Sequence, residues 1–276
     1  AHELTTVTIK YSDIDLGEDA KIENVSVGKP IGAKLDGNAR DRDGYRFLGY
    51  SKVQNAEKPD FFKKSIVTED LVLYPVYKEA ANEDKVKVAF KLNDGTDASL
   101  KTEEVTRYES LGNKMPTKDK VAERDGYLFT GWAKSKSAKY PDFFRSTVVK
   151  GDMTVYAVWK SLYNEKLGQA VLKVSAKTKG YELTITPPAA NLHTGFEIFR
   201  SEKKDFKPSK DNKIATVDRD TLKYLDEKAD NGKAYYYAVR AIDADGSYNG
   251  TKVTFIGKLS DKVLAAPLPK DKGVSA

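Results

Sequence analysis

An internal repeat constrains this chain more than any other feature of its sequence. The segment RDGYRFLGYSK, which begins at Arg42, returns as RDGYLFTGWAK at Arg124. The match continues without a gap, PDFFKKSIVTEDLVLYPVYK against PDFFRSTVVKGDMTVYAVWK, so the offset between Arg42 and Arg124, 82 residues, is kept throughout. Self-similarity at a fixed period indicates one fold used more than once. We therefore predict two tandem copies of a small domain, residues 1–82 and 83–164.

The pattern within each copy is that of β-strands. Apolar and polar residues alternate in TVTIKY and LVLYPVY of the first copy, and in KVKVAF and MTVYAVW of the second. Alternation with a period of two is typical of strands with one buried face. The R-D-G-Y segment between them predicts a turn, because glycine readily adopts the positive φ that other residues avoid. Charged linkers, EAANEDK and SLYNEK, are predicted to follow the copies.

The third part of the chain has a different pattern, with short strands separated by turn signals. AVLKVSA, YELTITPP, GFEIFRS, KIATV, KYLDE, AYYYAVRAID and TKVTFIG are predicted as seven strands. That number and spacing favour a β-sandwich over residues 165–262. The segment 263–276 contains APLPKDKGVSA and no core-forming run, so we predict a C-terminal linker or tail.

Composition narrows the classes of function. The net charge is +6, but basic and acidic residues are interspersed in all three parts, which does not predict nucleic-acid binding. No apolar run is long enough to insert in a membrane. The absence of cysteine excludes disulfides and thiolate chemistry, and it leaves the compartment open because many exported proteins of Gram-positive bacteria also lack cysteine. The opening AHELTT, without a leader, suggests a segment of a longer protein.

No pattern of residues indicates catalysis, a cofactor or a metal. The histidines are His2 and His193; His193 lies in a predicted turn without a neighbouring nucleophile, so a loop histidine is favoured. DADGS at Asp243 and LNDGTDAS at Leu92 resemble the start of calcium loops but favour turns, and DADGS lacks the distal glutamate of such a loop. Paired carboxylates for glycoside hydrolysis are available, but units of this size rarely enclose a sugar cleft. A Lys–Asn isopeptide crosslink has no motif here. We predict no catalytic, cofactor or metal site.

Aromatic residues are the remaining candidates for a binding site. Those of the second copy are Tyr127, Phe129, Trp132, Phe143, Phe144 and Trp159. Each has an aromatic counterpart in the first copy, which favours a shared core over a ligand platform. Successive residues of a strand point to opposite faces, so one phenylalanine of each PDFF pair should face outward. We predict Phe62 and Phe144 as exposed, ligand-binding aromatics.

Residues of the repeat resemble a known family. GYxFxGW, the PDFF segment, Asp152 and the closing VYAVW are similar to the Listeria–Bacteroides repeat, the B-repeat type of internalin-like surface proteins. The first copy has Tyr50 and Tyr77 where the family usually has tryptophan. The resemblance implies small β-grasp-like domains, used in tandem on cell-surface and secreted proteins of bacteria.

The third part resembles a fibronectin type III domain. GFEIFRS is similar to the third strand of that family and GKAYYYAVRAIDADG to its sixth. The resemblance places Tyr235 as the corner tyrosine, whose hydroxyl contacts the backbone a few residues upstream. Ile185 is a departure, since the family often has a core tryptophan there. An Ig-like sandwich is the implied fold.

Together these features predict a mainly β, non-enzymatic, extracellular segment of a bacterial surface or secreted protein. It would act as a stalk or spacer between neighbouring domains, and as an adhesion module for a host extracellular protein or a glycan. The alternative is an accessory region of a large secreted hydrolase, a glycosidase or peptidase whose catalytic domain lies outside the segment. An intracellular scaffold is a third hypothesis.

Overall fold

The computed structural model describes residues 3–81, 83–230 and 232–267. Strands dominate these residues and the helical segments are single turns of 3₁₀ helix, which confirms the mainly β fold class. Contacts group the chain into two compact units: one has the residues up to Val121 with Gly131–Val158, and the other has Ala122–Thr130 with the residues from Trp159 onward. His2 and residues 268–276 of the predicted tail lie outside the described residues. In the part of the chain described, no helix has the length and apolar character to cross a membrane.

The first copy forms a mixed four-stranded sheet. Its strands are β1 (Leu4–Ile9), β2 (Ala20–Ser26), β3 (Lys29–Pro30), β4 (Tyr45–Ser51), β5 (Ile66–Val67) and β6 (Leu71–Glu79), with 3₁₀ helices at Ser12–Ile14 and Gly32–Leu35. The sheet order is β2-β1-β6-β4, with β1 parallel to β6, while β3 and β5 form a separate pair. Val7 and Ile9 are fully buried on alternate positions of β1, as the sequence alternation predicts.

The second copy has the same strand order. Its strands are β7 (Lys85–Lys91), β8 (Ser99–Thr106), β9 (Tyr127–Ala133) and β10 (Met153–Ser161), with 3₁₀ helices at Gly112–Lys114 and Lys118–Lys120. The sheet order is β8-β7-β10-β9, and β7 is parallel to β10. A central parallel pair flanked by the two other strands is therefore common to both copies.

The third part forms two sheets that enclose one core. Its strands are β11 (Val171–Ala176), β12 (Tyr181–Thr186), β13 (Gly195–Ser201), β14 (Lys213–Asp218), β15 (Lys223–Asp226), β16 (Tyr235–Asp243), β17 (Ser247–Tyr248), β18 (Thr251–Lys252), β19 (Phe255–Ile256) and β20 (Val263–Ala265), with a 3₁₀ helix at Glu165–Leu167. One sheet is β11-β12-β15 and the other is β14-β13-β16-β19, with β20 also on β16. Leu183 of the first and Val239 of the second share a hydrophobic cluster, as in a sandwich.

Two predictions for the third part were wrong in detail. TKVTFIG is not one strand: Thr251–Lys252 pairs with β17 in a hairpin, whereas Phe255–Ile256 joins β16. The predicted tail begins too early, because Val263–Ala265 is paired with β16. Ala265 is buried, so these residues complete the sheet.

The corner tyrosine lies where the resemblance places it. The backbone N–H of Asp230 donates to the Tyr235 hydroxyl at 3.4 Å, so the phenol contacts the chain five residues upstream. Ile185, the departure from the family pattern, is buried in the core of the sandwich. An aliphatic side chain thus occupies the core position at this site.

Candidate functional site

Trp132 is a core residue of the second copy. Its side chain is fully buried, and its ring packs edge-on against Phe90 with centroids 4.8 Å apart. The indole N–H donates to the carbonyl oxygen of Pro116 at 2.9 Å. Phe143, which forms a β-bridge with Trp132, is fully buried as well. The core prediction is confirmed for both residues.

The same prediction was wrong for Tyr127, which is 39% exposed. Phe129 and Trp159 are only partly buried, and their rings meet edge-on with centroids 5.7 Å apart. Tyr127 and Phe129 lie in the first half of β9, whereas the buried Trp132 lies near its end. The sequence pattern misled because an aromatic repeated in both copies can serve a surface cluster as well as a core.

That surface cluster includes an arginine in each copy. The Arg124 guanidinium lies 3.8 Å from the centre of the Tyr127 ring and 5.7 Å from that of Trp159. In the first copy the Arg42 guanidinium lies 4.0 Å from the centre of the Tyr45 ring. Such cation–π contacts are worth about 0.5–1 kcal/mol at exposed sites. The arginine and the tyrosine of the R-D-G-Y segment therefore stabilise their own turn.

Phe62 and Phe144, the predicted ligand-binding residues, have exposed side chains. They are 51% and 55% exposed, whereas the preceding Phe61 and Phe143 are buried. The inner ring of each PDFF pair belongs to the interior and leaves the outer ring in solvent. Ligand binding by Phe62 and Phe144 remains a prediction.

A hydrogen-bonded turn holds each exposed phenylalanine. The N–H of Phe62 donates to Ser65 Oγ at 2.9 Å, and the N–H of Ser65 returns to the Phe62 carbonyl at 2.8 Å. The same two bonds join Phe144 and Thr147, at 2.8 and 2.9 Å. These bonds hold the backbone that carries each ring, so little backbone freedom is lost when a partner covers the ring. Chemically, it can stack on a sugar ring or fill an apolar pocket.

His193 lies in the connection between β12 and β13, as predicted, and is buried. It is 2% exposed, and its ring centroid is 4.6 Å from that of Phe196. Burial, followed by the nearby Arg219 charge, lowers the pKa of His193. A neutral imidazole packed against Phe196 is part of the sandwich interior.

The two calcium-like segments form turns closed by their own carboxylates. Asp243 Oδ1 accepts the N–H of Asp245 at 3.0 Å, and Asp94 Oδ1 accepts the N–H of Thr96 at 2.9 Å. Carboxylates that bind the backbone two residues on are typical of turns. Among the described residues, no group of three or more His, Cys, Asp or Glu side chains could hold a metal ion.

The second compact unit contains an ionic cluster that no local sequence pattern predicts, and its central residues Glu197 and Arg240 are buried. Arg240 Nε donates to Glu197 Oε2 at 2.8 Å, and Lys213 Nζ donates to Glu197 Oε1 at 2.8 Å. The Arg240 guanidinium also donates to both carboxylate oxygens of Asp125, at 2.7 and 2.6 Å. Burial would raise the pKa of Glu197, but the Lys213 hydrogen bond and the Arg240 charge outweigh it and lower that pKa.

The signal that could have identified Asp125 is its repetition. The aspartate of the R-D-G-Y segment occurs in both copies, as Asp43 and Asp125, although the turn itself requires only the glycine. Its partner Arg240 lies 115 residues further along the chain, and no local pattern connects them.

Comparison with known proteins matches part of the chain to a family. Residues 87–158 match the family model of the Listeria-Bacteroides repeat domain. Internalin H of Listeria monocytogenes is 33% identical over 149 residues, which is 50% of this chain and 23% of the relative. A protein of Evansella cellulosilytica that carries the name Gly-rich membrane protein is 28% identical over 167 residues, 59% of this chain and 18% of the relative. The chain thus spans less than a quarter of these relatives.

Two solved structures have low similarity to part of the chain. A Fn3-like protein from Clostridium thermocellum has 22% identity and a TM-score of 0.27, covering 36% of this chain and 91% of that one. Pectate lyase PelI from Erwinia chrysanthemi has 22% identity and a TM-score of 0.26, covering 36% of this chain and 28% of that one.

Proposed function

We propose that this chain is a non-enzymatic, extracellular segment of a bacterial surface protein. Two tandem Listeria–Bacteroides repeat domains and a fibronectin type III-like domain act as a stalk that projects other parts of a longer chain. The observation that carries the proposal is the shared sheet order of the two sequence copies, with a central parallel pair in each. The domain match at residues 87–158 and the similarity to Internalin H support it.

Surface location is tested on bacteria that express the full-length protein. An antibody raised against this segment should label intact cells, and protease added outside should remove the label. Labelling only after the cells are permeabilised would contradict the proposal. A cytoplasmic protein detected in the same cells serves as the control for intact envelopes.

The stalk role is tested by removing one repeat period. Deletion of residues 43–124 joins Arg42 to Asp125 and leaves a single copy with its R-D-G-Y turn. If the variant folds, as judged by circular dichroism, the region beyond the stalk should lie closer to the cell surface in immunoelectron microscopy. An unchanged distance would refute a spacer role.

We propose further that the stalk contributes to adhesion through its two phenylalanine turns. Exposed rings held on short turns are suited to the surface of a host extracellular protein or to a glycan. Arrays of both ligand classes should be screened with the wild-type chain and with Phe62→Ala/Phe144→Ala. Leu225→Ala, which removes another exposed apolar side chain, is the matched control.

Adhesion through these turns predicts that the double variant loses binding while its melting temperature stays within about 2 °C of wild type, since surface substitutions usually change stability little. Equal binding by the wild type and the double variant would refute the role of the turns. Loss of binding by Leu225→Ala as well would point to another surface.

A further inference from the structure

We infer that the aspartate of each R-D-G-Y turn joins its copy to the domain that follows. Asp43 and Asp125 occupy the same position in the two copies. Each forms side-chain hydrogen bonds with a residue outside its own copy, Ser110 for Asp43 and Arg240 for Asp125. Two independent instances of one arrangement, with different partners, indicate a common joining role.

The first joint lies within the first compact unit. Asp43 Oδ1 accepts the N–H of Ser110 at 2.5 Å, and Asp43 Oδ2 accepts the Ser110 hydroxyl at 2.7 Å. The next residue, Gly44, donates its N–H to the carbonyl of Tyr108 at 2.9 Å. The turn of the first copy therefore makes three hydrogen bonds to the segment 108–110 of the second.

Tyr108 has a backbone conformation that fits a joint. Its φ is 71°, in the left-handed region that bulky residues avoid, and its counterpart in the first copy is Gly28 with φ 74°. The N–H of Tyr108 donates to Val149 and that of Gly28 to Val67, so the two positions correspond. Strained backbone of this kind persists where the surrounding structure requires it, and here the Tyr108 carbonyl accepts the N–H of Gly44.

The second joint lies within the second compact unit. Both terminal nitrogens of Arg240 donate to the carboxylate of Asp125, the bidentate geometry that makes arginine–carboxylate pairs strong. The Arg240 side chain is only 6% exposed, whereas that of Asp125 is 31% exposed. The turn therefore supplies a carboxylate to a cation that belongs to the sandwich.

Charge balance shows what Asp125 adds. Within the sandwich, Glu197 is paired with both Lys213 and Arg240, so one carboxylate faces two cations. Asp125 supplies the second carboxylate and makes the cluster neutral. Without Asp125, the buried Arg240 would keep only Glu197, which it shares with Lys213. Because a buried cation with incomplete charge compensation is destabilising, we expect the sandwich to lose stability when the turn of the preceding copy no longer supplies Asp125.

The end of the second copy is also paired with the sandwich. The N–H of Ile256 donates to the carbonyl of Leu162 at 3.0 Å, and the N–H of Asn164 donates to the carbonyl of Ile256 at 2.8 Å. Leu162 in turn donates its N–H to the carbonyl of Gly126 at 2.8 Å. The segment predicted as a charged linker thus ties the R-D-G-Y turn to the sandwich.

The test compares Asp125→Asn with Asp43→Asn and with a control, Asp245→Asn, all in the full chain. Asp245 lies on the sandwich and is 79% exposed, with Lys252 at 3.9 Å, so its substitution makes the same change of charge away from the joints. Thermal unfolding is followed by calorimetry. Trypsin cleavage after Lys160 and Lys166 is followed by mass spectrometry.

Asp125→Asn should lower the melting temperature of the sandwich transition by about 3–12 °C and speed cleavage after Lys160 and Lys166 about five- to thirty-fold. Asp43→Asn should leave that transition unchanged and shift the transition of the first unit by less than about 3 °C, because the site is exposed and the Asn side-chain oxygen can still accept one of the two hydrogen bonds from Ser110. Asp245→Asn should change neither readout.

A sandwich transition and cleavage rate in Asp125→Asn equal to those of Asp245→Asn would overturn the inference. If Asp125→Asn fails to fold, the cleavage rate is measured instead on Asp125→Glu, which keeps the charge. A folded Asp125→Glu protein with slow cleavage supports the joint, and one with fast cleavage overturns it.

Discussion

Replacing Trp132 by alanine should reduce the stability of the second copy more than substitution of an exposed residue does. The indole is fully buried, packs against Phe90, and donates a hydrogen bond to Pro116. Alanine removes the ring contacts and leaves the Pro116 carbonyl without its donor. The substitution would leave a cavity beside Phe90.

The magnitude follows from the buried surface. A tryptophan side chain buries about 150–250 Å², which at about 25 cal/mol per Å² corresponds to about 4–6 kcal/mol. Residual burial in the unfolded chain reduces such values by about 10–40%. The lost hydrogen bond adds about 1 kcal/mol. These contributions sum to about 3–6 kcal/mol. Because such truncations usually cost about 3–5 kcal/mol, we expect Trp132→Ala to reduce the free energy of unfolding by about that amount.

Guanidinium unfolding followed by circular dichroism measures the change, and Trp159 remains as a fluorescent probe in the variant. Trp132→Phe is the graded control: it keeps an aromatic ring but loses the bond to Pro116, and should cost about 1–3 kcal/mol. A Trp132→Ala protein with unchanged stability but lost ligand binding would refute the core assignment in favour of a binding platform.

Three further predictions concern glycine, acid and alkali. Gly44→Ala should cost about 1–2 kcal/mol for its left-handed φ of 77° alone, and Gly180→Ala, at a φ of 76°, should cost more, because its Cβ would also lie 2.1 Å from the backbone carbonyl oxygen of Asp226; thermal unfolding of both variants checks the difference, and equal losses would contradict it. Because the pKa of Glu197 is lowered in the folded protein, its carboxylate stabilises the sandwich above the unfolded pKa of about 4.3. The melting temperature should therefore decrease as the pH falls below that value, and in Glu197→Gln it should depend less on pH between about pH 3 and 6. Burial, and then the Tyr11 hydrogen bond, raises the pKa of Tyr50 in the folded protein. The stability that the neutral phenol contributes should therefore be lost as the pH rises above about 10, and the melting temperature of Tyr50→Phe should decrease less with pH in that range.

Local sequence patterns predicted most of the fold. Alternation predicted β1 and β7, each of which buries one face, whereas turn signals predicted the strands of the sandwich, of which β13 and β16 are buried on both faces. Glycine in R-D-G-Y predicted the turn, and both Gly44 and Gly126 have positive φ. The PDFF pairs were divided correctly into an inner and an outer ring, because neighbouring residues point to opposite faces.

Contacts between residues that are distant in the sequence could not be predicted from local patterns. Val263–Ala265 is too short to show a period, and it is a strand only because β16 offers it an edge. Tyr127 looked like a core residue because it repeats, yet its ring stacks with Arg124 at the surface. The bond between Asp125 and Arg240 depends on the folded sandwich, which brings a distant arginine to the turn.

Amide hydrogen exchange of the wild-type chain tests most directly whether both R-D-G-Y turns hold ordered joints. Ser110 donates its N–H to Asp43, and Ile256 donates its N–H to Leu162, so neither amide should exchange freely. We predict exchange at least about 100-fold slower than in an unstructured peptide at both positions. Exchange at the unstructured rate at Ser110 and Ile256, with the strands β7 and β16 still protected, would contradict joints at both turns.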